Sequence, residues 1–189
     1  LTAKDFSKYS QITVMEDVAA DSPVLSQAVL QKMTHARVRQ CHDKIAEIVR
    51  KSGVTVPLGA TLEISHHYGV DRFEDYGLGM ITVVNEEYCK KILIVTPGQK
   101  HPPQYHKNKT ETFHLIWGSL RLTLDGATQE MAVGQVVTIA PGTVHEFESL
   151  DGCVIEEIST NHSSEDSFYL NSSIANNRAR KTLVSLDLE

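Results

Sequence analysis

The segment from Pro97 to Gly118 reads PGQKHPPQYHKNKTETFHLIWG and holds three of the nine histidines of the chain. It also contains three lysines and one carboxylate, Glu111. Gly98 and the prolines open the segment and an alternating apolar run closes it, which is typical of a polar loop that leads into a β-strand. Histidines beside a carboxylate indicate either a metal site or a solvated loop, so the rest of the chain has to decide between them.

Short apolar or alternating segments separated by turn residues fill the chain from Gly79 to Ile158. The predicted strands are Met80–Val84, Lys91–Thr96, Glu111–Trp117, Leu120–Leu124, Glu130–Val133, Val136–Ile139, Val144–Glu148 and Val154–Ile158. Asp125-Gly126 between two such segments is a strong β-hairpin signal. Many short strands with regular turns predict an antiparallel sandwich or barrel, such as a double-sheet jelly roll.

A helical pattern precedes these strands. Val38, Cys41 and Ile45 fall on one apolar stripe, and we predict a helix over residues 24–51 that breaks once near Thr34. Gly53 marks its end. The domain organisation that we expect is an N-terminal arm with helices packed on the barrel (1–55), the barrel (56–160) and a C-terminal tail wrapped over it (161–189).

Composition narrows the class of protein. The 189 residues suit one domain, and the net charge of −6 argues against a nucleic-acid partner. Three cysteines without a C-x-x-C pair favour a reducing compartment, so we expect a cytoplasmic protein. No signal peptide or membrane-length apolar run is found, so no membrane partner is expected. The start at Leu1 is consistent with a trimmed terminus or with a piece of a longer multidomain chain.

Strand alternation predicts which side chains enter the barrel. Glu111 shares a face with Phe113 and Leu115, and His145 shares a face with Phe147. A carboxylate and an imidazole inside a small barrel are costly unless they are paired or bind a metal. Two histidines and a carboxylate from neighbouring strands suit a divalent transition metal with open coordination positions.

The pattern Gly98-x5-Gln104-x-His106-x4-Glu111-x6-Gly118 resembles the first cupin motif, G-x5-H-x-H-x3,4-E-x6-G. The departure is Gln104, which stands where the motif has its first histidine. The resemblance implies a mainly β chain with a cupin double-stranded β-helix, a jelly-roll barrel, and an N-terminal helical segment.

A second motif supports the same family. Ala140-Pro141-Gly142-x-x-His145 resembles the cupin pattern P-x-G-x-x-H, with Ala140 at the first proline and Ser149 at the final asparagine position. The two motifs together imply a metal held by His106, Glu111 and His145, with Gln104 at the fourth ligand position. A neutral amide oxygen is a weaker ligand than imidazole, so Gln104 either coordinates, gives way to water or reduces metal affinity. His101 is the alternative ligand and ranks behind Gln104.

The run YCKKILIVTPGQKHPPQYHKNKTETFHLIWG, residues 88–118, is similar to D-lyxose ketol-isomerases of the cupin superfamily. It also resembles the cupin segment appended to some sialic acid (N-acetylneuraminate) synthase-like proteins. The resemblance implies aldose–ketose interconversion of a small sugar with one divalent ion, Mn or Zn, with Fe or Ni as alternatives. A homodimer is expected by analogy with other cupins.

Roles for individual residues follow from that activity. Lys109, two residues before the ligand carboxylate, is expected to stabilise an oxyanion. The alternative is that Lys109 is a solvent-exposed lysine of the loop. Glu157 shares strand parity with the inward residues Cys153 and Ile155 and is the best candidate for the proton carrier, although Glu156 is adjacent and parity alone leaves open which of the two lies on the surface. His66 and Tyr68 are lesser candidates for binding sugar hydroxyls. For His66 the favoured interpretation is that its ring forms hydrogen bonds with backbone groups and does not bind the substrate.

Two other functions fit the same residues. One is a non-catalytic sugar-binding or regulatory module of a sialic acid synthase-like protein, which the substitution at Gln104 favours. The other is a non-haem iron dioxygenase, since two histidines and a carboxylate also bind Fe(II).

Overall fold

The computed structural model describes residues 27–160, 162–186 and 188. Its first element is helix α1 (Gln27–Ser52), which ends where Gly53 takes a left-handed backbone with φ 65°. The predicted break near Thr34 is wrong, because α1 is continuous through that position and contains no proline or glycine to interrupt it. The predicted start at Val24 lies outside the described residues.

The described residues form twelve strands in two antiparallel sheets. The strands are β1 (Thr61–His66), β2 (Gly77–Asn85), β3 (Tyr88–Val95), β4 (Lys100–Tyr105), β5 (Glu111–Gly118), β6 (Leu120–Leu124), β7 (Ala127–Met131), β8 (Val136–Ile139), β9 (His145–Glu148), β10 (Cys153–Thr160), β11 (Phe168–Tyr169) and β12 (Lys181–Ser185). One sheet has the order β12-β1-β2-β3-β10-β5-β8, and the other has the order β11-β4-β9-β6-β7. This is the jelly-roll barrel that the turn spacing predicts.

Short helices complete the chain. A 3₁₀ turn (Val70–Arg72) leads into α2 (Phe73–Tyr76), a second 3₁₀ turn spans Ser164–Asp166, and α3 covers Ser172–Ala175. Within the described ranges, no helix has both the length and the apolarity that a membrane span requires.

The predicted strand Glu130–Val133 is displaced in the structure, where β7 runs from Ala127 to Met131. The tight turn at Asp125-Gly126, with φ of 47° and 82°, reverses the chain at once. Leu124 therefore pairs directly with Ala127, and the hairpin begins three residues earlier than its apolar residues indicate.

Two apolar clusters fix the barrel. The stripe of α1 that carries Val38, Cys41 and Ile45 packs on the outer face of the seven-stranded sheet, where Gly79 leaves room for Ile45. A Cβ at residue 79 would lie 2.9 Å from Cδ1 of Ile45. The second cluster, which includes Phe113 and Phe147, fills the space between the sheets. These clusters do not fill the whole interior of the barrel, and polar side chains occupy one end of it.

The chain after Thr160 joins both sheets. Strand β11 pairs with β4, and β12 pairs with β1, so this segment adds an edge strand to each sheet. It also crosses the polar end of the barrel, where its side chains meet the inward residues of β4 and β5.

Candidate metal centre

Three side chains meet at the polar end of the barrel. His106 follows β4 directly, Glu111 is the first residue of β5, and His145 is the first residue of β9. All three are buried, and the ligand atoms that they offer lie within 4.8 Å of one another. Strand alternation places Glu111 and His145 inward, because Phe113 and Phe147 on the same faces pack in the core, and His106 joins them from the end of β4.

Hydrogen bonds fix the tautomer of both histidines. Nδ1 of His106 donates to the carbonyl oxygen of Asp166, and Nδ1 of His145 donates to the carbonyl oxygen of Thr143, 3.1 Å away. The Nε2 atom of each neutral ring therefore carries a lone pair that points to the centre of the cluster. Second partners of this type orient metal-binding imidazoles in proteins.

The donor atoms fit a divalent cation. Nε2 of His106 lies 2.7 Å from Oε1 of Glu111, and Nε2 of His145 lies 3.7 Å from Oε2. Two atoms that both offer lone pairs, buried this close together, need a cation or a proton to relieve their repulsion. Two imidazoles and one carboxylate are the donor set of transition-metal sites with open positions.

Glu111 is ionised at this position. Burial alone would raise the pKa of its carboxyl group, but the positive charge of the Lys109 ammonium beside it holds that pKa well below its usual range. The carboxylate is therefore available as a charged ligand at neutral pH.

Gln104 reaches the same cluster from β4. Its Nε2 lies 3.3 Å from Nε2 of His145, to which it donates. The oxygen and nitrogen of a side-chain amide occupy almost identical positions, so a half-turn of the amide would exchange them. That exchange would place Oε1 beside the cluster and make Gln104 the fourth ligand that the motif predicts.

A network of buried charges adjoins the ligands. Oε1 of Glu157 accepts hydrogen bonds from Nζ of Lys91 and Nζ of Lys109, each at 3.1 Å, and from Oγ of Ser159 at 3.2 Å. Lys109 also pairs with Glu111. Burial alone would lower the pKa of Lys109, but the two carboxylates raise it, so its side chain is an ammonium ion.

Sequence reasoning missed Lys91, although a signal was available. Lys91 shares strand parity with the buried residues Leu93 and Val95 of β3. In the antiparallel register it stands directly opposite Glu157. A lysine on the inward face of a core strand is expected to have a buried partner.

Sequence reasoning also missed Asp166, which holds the loop between two of the ligands. Its carboxylate accepts backbone N–H bonds from Lys107 at 2.9 Å, from Asn108 at 3.1 Å and from Lys109 at 2.9 Å. Its own carbonyl oxygen receives the Nδ1 proton of His106. No local pattern points to this contact, because Asp166 lies in a polar segment about sixty positions further along the chain.

His101 lies inside the barrel, although regular alternation counted from Gln104 would place its side chain on the outer face. The register of β4 against β9 shifts between His101 and Gln104, so both side chains face inward. The His101 ring stacks on Phe147 with 4.7 Å between centroids and lines the cavity. It is not part of the group formed by His106, Glu111 and His145.

His66 and Tyr68, predicted to bind sugar hydroxyls, are not among the side chains that line the cavity. Nε2 of His66 lies 3.0 Å from Oγ1 of Thr182 on β12. The Tyr68 hydroxyl accepts from the side-chain amide of Asn171 at 2.9 Å. The structure therefore brings together the predicted ligands with Lys109 and Glu157, but not these two residues.

A cavity of about 60 Å³ lies over the cluster and the charge network. Its walls come from inward residues of β1 to β5, β9 and β10 and from the loop between β4 and β5, and Tyr169 and Arg180 of the C-terminal segment also line it. A volume of this size holds a few water molecules, at roughly 15 Å³ each. The arrangement can therefore bind a metal and present one face of it to a small polar molecule.

Comparisons with known proteins concern the fold and the sequence. Residues 91–154 match the family model described as cupin domain. The D-lyxose/D-mannose isomerase of Thermosediminibacter oceani is 26% identical, with 70% of this chain and 89% of that protein covered. The D-lyxose ketol-isomerase of Thermofilum sp. is 25% identical, with 68% of this chain and 88% of that protein covered.

Among solved structures, the L-ribose isomerase of Geodermatophilus obscurus superposes with a TM-score of 0.63 at 15% identity, over 77% of this chain and 95% of that one. A likeness at this identity shows a shared fold. The chain therefore has the cupin fold, its residues 91–154 match the cupin domain model, and its sequence is similar to those of D-lyxose isomerases.

Proposed function

We propose that this chain is a metal-dependent isomerase that interconverts an aldose and a ketose of a small sugar through an enediolate. The observation that carries the proposal is the buried charge network of Lys91, Lys109 and Glu157, which adjoins the ligand cluster in one cavity. The sequence relatives named as sugar isomerases support it. A cation held by the cluster, Mn or Zn in this proposal, would polarise the carbonyl and hydroxyl oxygens of the sugar.

Lys109 stabilises the negative charge that develops on the substrate oxygen when a carbon-bound proton leaves. Its ammonium group is buried and held by Glu111 and Glu157, so it needs little reorganisation during the reaction. Since its pKa is raised, it acts as a fixed positive charge and not as a proton donor at neutral pH.

Glu157 takes the proton from one carbon and returns it to the other, while the hydroxyl proton of the sugar passes between its two neighbouring oxygens, directly or through a water molecule. Its three hydrogen-bond donors among the described residues all bind Oε1. Oε2 therefore remains available to the substrate, while Lys91 and Lys109 fix the orientation of the carboxylate. The buried network keeps the group at one position for both halves of the transfer.

Turnover of the metal-loaded protein tests the proposal. The protein is incubated with aldopentoses and aldohexoses in D₂O, and product formation and deuterium uptake are followed by NMR. Glu157→Gln should lower kcat by about 10² to 10⁴ while metal content stays unchanged. Glu156→Gln is the matched control, because Glu156 lies on the outer face of the same strand and pairs with Lys90. No interconversion in the full screen, or full activity of Glu157→Gln, would contradict the proposal.

A non-catalytic sugar-binding module is the second candidate, and Gln104 in place of a ligand histidine favours it. Under this alternative the protein binds a sugar, measured by calorimetry, without interconverting it. Gln104→His would then give neither tighter metal binding nor activity. A homodimer, a cytoplasmic location and a longer multidomain chain remain predictions from the sequence.

A further inference from the structure

The charges that line the cavity have a sign opposite to that of the whole chain. Four cationic side chains and three carboxylates line it, namely Lys91, Lys109, Arg180 and Lys181 with Glu63, Glu111 and Glu157. The chain as a whole has a formal charge of −6. A bound divalent cation would make the cavity more positive still. A cleft of this kind concentrates anions from solution.

Arg180 differs from the other three cations of the cavity. Lys91 and Lys109 share a buried carboxylate, and Lys181 lies 2.9 Å from a carboxylate oxygen of Glu63. Arg180 has no carboxylate partner in residues 27–160, 162–186 and 188. Its Cζ lies 5.1 Å from the centroid of the Tyr169 ring. An arginine stacked on an aromatic face keeps the N–H donors at its edge free for another group.

The position of Arg180 relative to the metal cluster suits the far end of a sugar. Tyr169 pairs with Gln104 across β11 and β4, and neighbouring strands lie about 5 Å apart. The guanidinium group stacked on Tyr169 therefore lines the same cavity as Gln104, but from the C-terminal segment and not from a strand that carries a ligand. A sugar whose reacting carbons lie at the cluster would extend its remaining carbons along this cavity, toward Arg180.

We propose that the substrate carries an anionic group, a phosphate or a carboxylate, at the end of its carbon chain away from the metal, and that Arg180 binds this group. The inference rests on the proposed function, which places the reacting end of the sugar at the metal cluster. A guanidinium group offers two parallel N–H donors to either anion. A neutral sugar would use only one of these donors and would leave the positive charge of Arg180 without a partner.

Binding of alcohols that cannot isomerise tests this inference without turnover. The affinity of the metal-loaded protein for xylitol is compared with that for xylitol 5-phosphate, and its affinity for sorbitol with that for gluconate, by calorimetry. The phosphate or the carboxylate should tighten binding about tenfold or more, as expected for charge-assisted hydrogen bonds. Arg180→Gln should abolish the gain and Arg180→Lys should retain part of it. Arg178→Gln, an exposed arginine of the same segment, should bind as the unmodified chain does.

The outcomes separate this inference from the proposed function. Tightening only with xylitol 5-phosphate assigns a phosphate, and tightening only with gluconate assigns a carboxylate. Equal affinities in both pairs, or a gain that survives Arg180→Gln in a variant with an unchanged melting temperature, would overturn the inference even if neutral aldoses are isomerised. Binding that depends on Arg180 without turnover of any sugar would overturn the isomerase proposal and leave the anion site standing.

Discussion

Replacing Asp166 by Asn should weaken both the fold and the metal site. The two carboxylate oxygens of Asp166 have different partners, since Oδ1 lies 2.9 Å from the backbone nitrogen of Lys107 and Oδ2 lies 2.9 Å from that of Lys109. Asparagine offers one oxygen and one NH₂ group, so in either orientation one of these N–H donors faces another donor. A buried donor without an acceptor costs about 1–3 kcal/mol, and the lost charge weakens the remaining bonds. We therefore expect the free energy of unfolding of the metal-free protein to fall by about 2 kcal/mol.

The loop of residues 107–109 joins His106 to Glu111, so loosening it should also spread the ligands. We expect the Kd for Mn²⁺ to rise about 10- to 100-fold, as for other groups that orient metal ligands. Thermal melting without metal should show a decrease in Tm of about 4–8 °C for a chain of this length. Calorimetric titration with Mn²⁺ measures the affinity. Glu165→Gln removes the same charge from an exposed neighbour and serves as the control. A wild-type Tm together with a wild-type Kd for Asp166→Asn would refute the reasoning.

Three further changes give separate outcomes. Gln104→His adds an imidazole at the fourth ligand position. Competition with a chelator should show that the affinity for Zn²⁺ increases about tenfold or more. An unchanged affinity would show that residue 104 is not a ligand. Glu111→Ala should hold about tenfold less metal after purification, and equal content by elemental analysis would contradict the cluster. Burial lowers the pKa of His67 from 6.5 to about 4. Between these pH values the unfolded chain binds more protons than the folded one. The contribution of His67 to the free energy of unfolding is therefore fully present above pH 6.5 and falls by about 3 kcal/mol as the pH is lowered to 4. His67→Gln should flatten this part of the pH profile in urea titrations, and an identical slope would show that His67 does not cause it.

Period-two alternation predicted much of the site because antiparallel strands keep their parity over their whole length. Once Phe113 is assigned to the core, Glu111 must face inward, and the same holds for His145 relative to Phe147. This reasoning fails for His101. The register of β4 shifts between His101 and Gln104, so that both side chains face inward although three positions separate them. No feature of the sequence KHPPQY reports that shift, although its two prolines cannot donate ladder hydrogen bonds and so favour an irregular strand.

The C-terminal segment could not be predicted in the same way. Its strands are short, and β11 has only two residues, so no periodicity develops that could be read from the sequence. The bonds of Asp166 to residues 107–109 depend on where the segment docks, and that depends on the completed barrel. Contacts across such sequence separations form only when the chain between them is already folded.

The division of the site along the chain has a consequence for its chemistry. The segment that matches the cupin domain, residues 91–154, contains all three ligands of the cluster and Lys109. Glu157, Asp166 and Arg180 lie beyond it, yet they pair with Lys109, hold the loop between the ligands and line the cavity, respectively. Under the proposed function, the ligands of the ion therefore come from the matched segment, whereas part of what would meet the open face of that ion comes from the chain after it. If the chain is the sugar isomerase proposed above, two chains with the same ligands and different C-terminal segments should bind the same metal and select different sugars, because Arg180 and Lys181 of that segment line the cavity. Exchanging residues 161–186 between this chain and a relative should accordingly change substrate preference and leave the preferred metal unaltered.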